Sequence, residues 1–196
     1  MFIGIVPKIK KNRTEYEFSV DINLIKFMKF LYPKANCEIL YSEKKKLDLN
    51  LLIISGGNDL PNYNKNKEHK IRSNLDSFYL KKAIGENIPV IGICYGAQFI
   101  AHYFDSKLIK LSNHVIKKHK IFFKNSENKE LLVNSYHNYG IKKLGKELST
   151  ICIAHDESVE CFKHKKLNII GLMWHPERHL PFKLSDRRII RKSLCS

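Results

Sequence analysis

The sequence predicts an α/β fold: a mostly parallel central sheet flanked by helices, with a small antiparallel β extension in the second half of the chain. Three observations predict it. Apolar, strand-like runs alternate with helical stretches through the first half, the pattern of a parallel sheet covered on both faces. Five short strand-like runs then crowd together between residues 108 and 162, as hairpins do. Finally, the buried-strand run Pro89-Val90-Ile91-Gly92-Ile93 ends on Cys94 and passes at once into a helix.

In chain order, residues 2–6 read as the first strand. Residues 16–31 read as a helix with Leu24, Phe27, Met28 and Leu31 on one face, stopped by Pro33. Strands follow at 37–41, 50–55 and 88–93, with a helix over 73–85 between the last two. The runs 108–111, 115–123, 131–135, 151–155 and 159–162 are the short strands of the extension, and 169–173 returns to the main sheet. A closing helix spans 185–194, with Ser185 or Asp186 as its cap. Lys44-Lys45-Lys46 and residues 64–70 read as polar loops. No internal repeat or low-complexity linker is visible.

At 196 residues, 43% hydrophobic and 28% charged, the chain suits one domain, 1–196, with a real core. The opening Met1-Phe2-Ile3-Gly4-Ile5-Val6 reads as a strand and lacks the basic start and long apolar core of a signal peptide. No apolar run approaches the roughly 20 residues of a membrane helix. The expected location is the cytoplasm. Five cysteines without Cys-x-x-Cys or His-rich spacing indicate neither a disulfide framework nor a zinc site, so no metal and no cofactor is expected. Cys37, Cys152 and Cys161 lie in strand-like runs as core residues, and Cys195 as an exposed tail residue.

Gly92-Ile93-Cys94-Tyr95-Gly96 is the cysteine counterpart of the Gly-x-Ser-x-Gly nucleophile elbow, in which a sharp strand-to-helix turn lifts the nucleophile above the sheet. Unpaired N–H groups and the helix dipole there favour thiolate over thiol. An isolated match of this kind also describes a tight turn around an inert buried cysteine. A partner weighs against that reading. In Gly171-Leu172-Met173-Trp174-His175-Pro176-Glu177, an apolar run delivers a histidine and then, two residues on, a carboxylate. Residues two apart in extended chain point the same way, so His175 can face the thiol while Glu177 holds its other nitrogen.

Cys94, His175 and Glu177 in this order resemble the catalytic triad of the class I glutamine amidotransferase-like proteins, whose fold is flavodoxin-like. Ser55-Gly56-Gly57-Asn58-Asp59-Leu60-Pro61 is similar to the oxyanion segment of the γ-glutamyl hydrolase branch, and Arg72 sits where that branch has an arginine opening a helix. Val133-Asn134-Ser135-Tyr136-His137 and Ala154-His155-Asp156-Glu157-Ser158-Val159-Glu160 resemble two further segments, with Glu157 standing where a turn glycine is common. Within the branch, the sequence resembles the γ-glutamyl-CDP-amidate hydrolases of bacterial capsular phosphoramidate biosynthesis.

The resemblance implies hydrolysis of a γ-glutamyl amide through a Cys94 thioester, with glutamate released. Oxyanion donors would be the backbone N–H groups of Gly57 and Tyr95. Gln98, His137 and the segment Asn134, Ser135 and Tyr136 would bind the glutamyl end. For Gln98 a solvent-facing helix residue, and for His137 a satisfied histidine at a strand end, are the competing readings. Another γ-glutamyl conjugate, such as a polyamine, and a glutaminase subunit feeding a synthase stay open as alternatives; no obligatory synthase partner is expected.

The net charge of +16 has three readings. Scattered basic residues without interleaved aromatics argue against a nucleic-acid partner. A Lys- and Asn-rich compositional bias accounts for the count without function. An anionic, nucleotide-linked substrate is the third, with Lys8 and Arg13 in the loop after the first strand and Arg72 after the Gly-Gly segment as its candidate contacts.

Overall fold

The structure, a computed structural model, describes residues 1–43, 46–111, 114–124 and 129–194. Its elements in chain order are β1 (Phe2–Val6), β2 (Lys8–Asn12), β3 (Glu15–Ser19), α1 (Ile22–Leu31), β4 (Asn36–Ile39), β5 (Leu51–Ile54), α2 (Lys67–Gly85), β6 (Val90–Ile93) and α3 (Tyr95–Tyr103). Then come β7 (Lys107–Lys110), β8 (Val115–Phe123), β9 (Glu130–Tyr136), β10 (Tyr139–Lys143), β11 (Leu148–Ala154), β12 (Val159–His164), β13 (Ile169–Leu172) and α4 (Leu184–Leu194).

The main sheet runs β4-β1-β5-β6-β13-β12-β11-β8-β9, with β10 pairing both β12 and β7. From β4 to β13 the pairs are parallel; from β13 through β12, β11 and β8 to β9 they are antiparallel. The expected α/β architecture with an antiparallel extension is therefore present.

Alternation along the parallel strands sends successive side chains to opposite faces, and each face has its own core. Ile3, Ile5, Ile53, Ile91 and Ile93 meet Leu24, Phe27 and Met28 of α1 and Ile190 of α4. Val6, Leu52, Ile54 and Val90 meet Tyr79, Leu80 and Ala83 of α2 and Ala97 and Ile100 of α3. No helix among the described residues is long and apolar enough to cross a membrane.

Several boundaries differ from the sequence reading. Residues 16–19 are not helical: Glu15–Ser19 pairs back on Lys8–Asn12 as a two-stranded hairpin turning at Arg13, whose φ is 53°. Helix α1 starts only after Asp21, whose carboxylate accepts from the Asn23 N–H at 2.9 Å. The Tyr16/Phe18 alternation carries the strand signal, and the apolar face of the following helix obscures it. Helix α2 begins at Lys67 and not at 73, so most of the expected 64–70 loop is its start; polar residues with good helix propensity read as loop when periodicity is the guide. Strand β10 is an addition to the expected elements. Glu157, with φ 65°, takes the left-handed turn position in which glycine is common. Cys152 and Cys161 are core residues facing each other across β11 and β12, whereas Cys37 is half-buried. Lys44, Lys45 and Cys195 lie outside the described residues.

Candidate active site

Cys94 stands between β6 and α3 with φ 51° and ψ −105°, a conformation a non-glycine residue adopts only when its surroundings impose it. Those surroundings are tight. A Cβ on Gly92 would lie 2.7 Å from the Gly96 carbonyl carbon, and one on Gly96 would collide with the Ile54 carbonyl. The Cys94 N–H donates to Leu172 O at 2.7 Å and its carbonyl accepts from the Gln98 N–H at 3.0 Å, so the turn is tied to β13 and to the first turn of α3.

His175 follows β13 and is buried. Its backbone is held on both sides by the Asn134 side chain, and its Nδ1 lies 2.5 Å from Glu177 Oε1. The imidazole also hydrogen-bonds Cys94. Burial alone would lower its pKa, but the negative charges and hydrogen bonds of Cys94 and Glu177 outweigh that and raise it to about 10. The expected pairing of His175 with Glu177 is present, but its geometry differs from the extended chain expected: Pro176–Arg178 is a 3₁₀ turn, and the turn swings Glu177 back under the ring.

The segment after β5 approaches from the other side. Gly56 has no room for a side chain because a Cβ there would sit 2.6 Å from His175 Cε1 and 3.5 Å from Cys94 Cβ. Gly57 takes φ 87°. Asn58 fastens the β2–β3 hairpin to this loop, accepting from the Ile9 N–H at 2.9 Å and donating to Ile9 O at 2.8 Å. The Asp59 N–H donates to His69 Nδ1 at 2.7 Å.

These groups meet around a cavity of about 300 Å³ lined by Gly57, Asn58, Asp59, Cys94, Tyr95, Gln98, Tyr136, His137, Asn138, Tyr139, His175 and Arg178. Of the sequence candidates, Cys94, His175, Gly57, Tyr95, Gln98, His137 and Tyr136 line it. Gln98 donates to Tyr139 O at 2.8 Å. The pKa of His137 is pushed down to about 4, chiefly by burial, and so the ring is neutral. Tyr136 meets His175 edge-on, ring centroids 5.6 Å apart.

Others do not reach the cavity. Asn134 spends its amide on His175, and Ser135 donates its hydroxyl to His114 O at 2.5 Å. Arg72 is fully buried: its guanidinium binds Asp76 at 2.7 Å and Ser55 Oγ and O at 3.2 and 3.0 Å, and lies over the Tyr95 ring. Tyr95 in turn donates to Asp76 Oδ2 at 3.0 Å, its phenol held protonated by burial and by the Asp76 charge. Arg72 thus locks the segments on either side of the cysteine and is not a substrate contact. Arg13, at the exposed hairpin tip, does not line the cavity either. Lys8 is half-buried with its stem over Gly57; burial, Lys10 and Arg178 lower its pKa, against the pull of Asp21 and Glu177.

Sequence reasoning missed Asp59 and Tyr139, and above all Arg178. The 3₁₀ turn throws Arg178 back over the Tyr136 ring at 4.4 Å, into the cavity. Its place directly after Glu177 is the available signal. A buried cysteine hydrogen-bonded to an imidazole that is itself fixed by a carboxylate, with small-residue backbone opposite, is equipped for nucleophilic attack on an acyl carbon.

Comparison with known proteins agrees with this chemistry. Residues 22–194 match the family described as glutamine amidotransferase class-I. The chain is 40% identical over 186 residues to the γ-glutamyl-CDP-amidate hydrolase of Campylobacter jejuni, covering 91% of this chain and 90% of that one. Among solved structures, a candidate GMP synthase subunit from Thermoplasma acidophilum superposes with TM-score 0.74 at 23% identity, over 100% of this chain and 92% of that one. A glutamine amidotransferase from Thermotoga maritima does so with TM-score 0.66 at 16% identity, over 96% and 80%. Both likenesses concern the fold.

Proposed function

The chain belongs to the class I glutamine amidotransferase family, and from that premise we propose that it is a single-domain hydrolase, residues 1–196, that cleaves the γ-glutamyl amide of γ-glutamyl-CDP-amidate. The products are glutamate and cytidine diphosphoramidate. The observation that carries the reading is the meeting of Cys94, His175 and Glu177 at a cavity whose lining also offers both a carboxylate, Asp59, and a guanidinium, Arg178. The 40% identity to the Campylobacter jejuni enzyme supports the choice of substrate.

In this mechanism the Cys94 thiolate attacks the γ-carbonyl carbon. Charge moves to the carbonyl oxygen, which the backbone N–H groups of Gly57 and Tyr95 stabilise, such donors being worth about 3 kcal/mol each. The intermediate collapses as the C–N bond breaks, and His175 gives its proton to the departing nitrogen. Water enters, His175 takes one of its protons, and the hydroxide adds to the thioester; glutamate leaves and the Cys94–His175 pair is restored. Glu177 keeps the imidazole oriented and charge-balanced throughout. Asp59 suits the substrate ammonium, and Arg178 suits its diphosphate.

Incubating the purified chain with γ-glutamyl-CDP-amidate, glutamine and a γ-glutamyl polyamine separates the alternatives. Equal amounts of glutamate and cytidine diphosphoramidate, the latter followed by phosphorus NMR, are expected from the first, and none from the Cys94→Ala variant. Glutamate from glutamine or the polyamine in preference to the nucleotide would overturn the substrate; release by Cys94→Ala would overturn the mechanism.

A further inference from the structure

Outside the reaction's own groups, one cluster of side chains has no explanation in the chemistry. Glu160 on β12 is fully buried, and neither of its carboxylate oxygens has a hydrogen-bond partner. Three histidine nitrogens that are also buried and unpartnered surround it: His114 Nδ1 at 3.8 Å and His137 Nε2 at 3.6 Å from Oε1, and His119 Nε2 at 3.5 Å from Oε2. These separations are too long for hydrogen bonds. Five buried polar atoms left without partners in one place is a large deficit for a native interior.

The outer edges of two of these histidines are, by contrast, well tied. His114 Nε2 lies 3.0 Å from Asp156 Oδ2, and Asp156 Oδ1 is itself held by the Ser158 N–H at 3.1 Å and hydroxyl at 2.6 Å. His137 Nδ1 lies 3.1 Å from Tyr139 O. A carboxylate or a carbonyl can only accept, so in the neutral ring each outer nitrogen carries the proton and each inner nitrogen presents a lone pair. Lone pairs of two imidazoles therefore converge on a carboxylate oxygen, a set of acceptors that repel one another unless a cation joins them. A carboxylate or backbone carbonyl behind each histidine is the arrangement found behind metal-ligating imidazoles.

We propose that His114, His137 and Glu160 bind one divalent transition-metal ion, Zn²⁺ by ligand type, with His119 Nε2 alongside, 3.5 Å from the other Glu160 oxygen. The three ligand atoms lie within 4.8 Å of one another. Bonds of about 2.0–2.2 Å in tetrahedral geometry set ligand atoms about 3.4 Å apart, so the Glu160 contacts need to contract by a few tenths of an ångström and the two histidine nitrogens to close by about 1.4 Å. Imidazole with one carboxylate is a donor set that Zn²⁺ accepts and that Mg²⁺ and Ca²⁺ do not favour. No spaced motif marks the site in the sequence, because its side chains come from separate segments of the chain.

The site is buried and distinct from Cys94, which makes it structural. Its consequence for the cavity runs through one strand end. Asn134 holds His175, Ser135 holds the His114 carbonyl, and His137 is both ligand and cavity wall. A metal here fixes the end of β9 and with it the backbone of His175.

The test uses the full chain and its Cys94→Ser variant, stripped with chelator, loaded with Zn²⁺ or Co²⁺ and freed of excess ion by gel filtration. One equivalent of Zn²⁺ in both proteins by mass spectrometry is expected, as are Co²⁺ d–d bands of a four-coordinate N/O site without thiolate charge-transfer absorption. Asp156→Ala, at a partly exposed position that leaves all three ligands in place, should weaken binding by about 10–100-fold. Glu160→Gln should abolish it. Less than about a tenth of an equivalent in the wild-type protein, or metal that is lost in Cys94→Ser, would overturn the proposal. Both outcomes are read without assaying turnover, so they stand apart from the choice of substrate.

Discussion

The side-chain amide of Asn134 grips the backbone of His175 from both directions, accepting from its N–H and donating to its C=O, each at 2.8 Å. Across 41 residues of sequence, the end of β9 thereby fixes where the chain leaves β13. Asn134 acts through His175, as a positioning residue.

Asn134→Ala should therefore reduce kcat more than it raises KM. Both backbone groups of His175 are buried, and leaving them unpaired costs about 1–3 kcal/mol of stability each. A shift of the imidazole of about 1 Å is worth about 10²-fold in rate. Steady-state kinetics with histidine NMR check this: an unchanged His175 resonance alongside a lowered kcat would count against positioning as the cause.

Gly56→Ala tests the same ring from the opposite side. The new methyl would lie 2.6 Å from His175 Cε1, so the imidazole must move. A loss of about 10²-fold in kcat/KM with native far-UV dichroism is expected. Retained activity would mean that the loop and not the ring gives way.

Much of this site is legible in the sequence because its parts are local. Gly92 to Gly96 is a contiguous motif, and His175 and Glu177 are near neighbours in the chain. The parallel half of the sheet is legible too, since its strands are apolar on both faces and bounded by turns. What escapes notice depends on distant segments. Nothing in the sequence says that Asn134 meets the backbone of His175, that Arg72 turns inward to Ser55 and Asp76, or that Arg178 folds over Tyr136. The β2–β3 hairpin is hidden for another reason: it is a two-stranded unit outside the main sheet, rich in lysine, with only a weak alternation to mark it.

Arg72→Met should unfold the protein far more readily than a surface change. It strands the buried Asp76 carboxylate, a loss of about 3–5 kcal/mol. Replacing both partners, as Arg72→Met with Asp76→Leu, should recover much of that loss, because no charge is then left unpaired. Urea midpoints of the two variants decide between this and a purely local packing defect, for which the double variant would be worse than the single.

Arg178→Met separates binding from chemistry. The guanidinium lies over Tyr136 at the cavity wall. For a diphosphate-bearing substrate, KM should rise at least ~10-fold, and the salt dependence of kcat/KM should flatten, because one attractive charge has gone. An uncharged γ-glutamyl amide should show neither effect.

The ion pair at the nucleophile makes a prediction about pH with a definite sign. The pKa of His175 is raised to about 10, from a usual value near 6.5 in unfolded chain. Between those values the folded state holds a proton that the unfolded state has released, so folding loses stability as pH rises. The stabilisation from His175 is complete below about pH 6.5, declines above it, and is gone once pH passes about 10. Urea titrations of wild type and His175→Gln across that range should show a stability difference that shrinks with rising pH. Glu177→Gln removes one of the two negative charges that raise the pKa, so in that variant the decline should end at lower pH, and the alkaline limb of kcat/KM should move down with it. A difference that stays constant from about pH 6 to about pH 10 would mean that His175 is neutral in the resting protein. Attack by Cys94 would then begin with His175 acting as the general base.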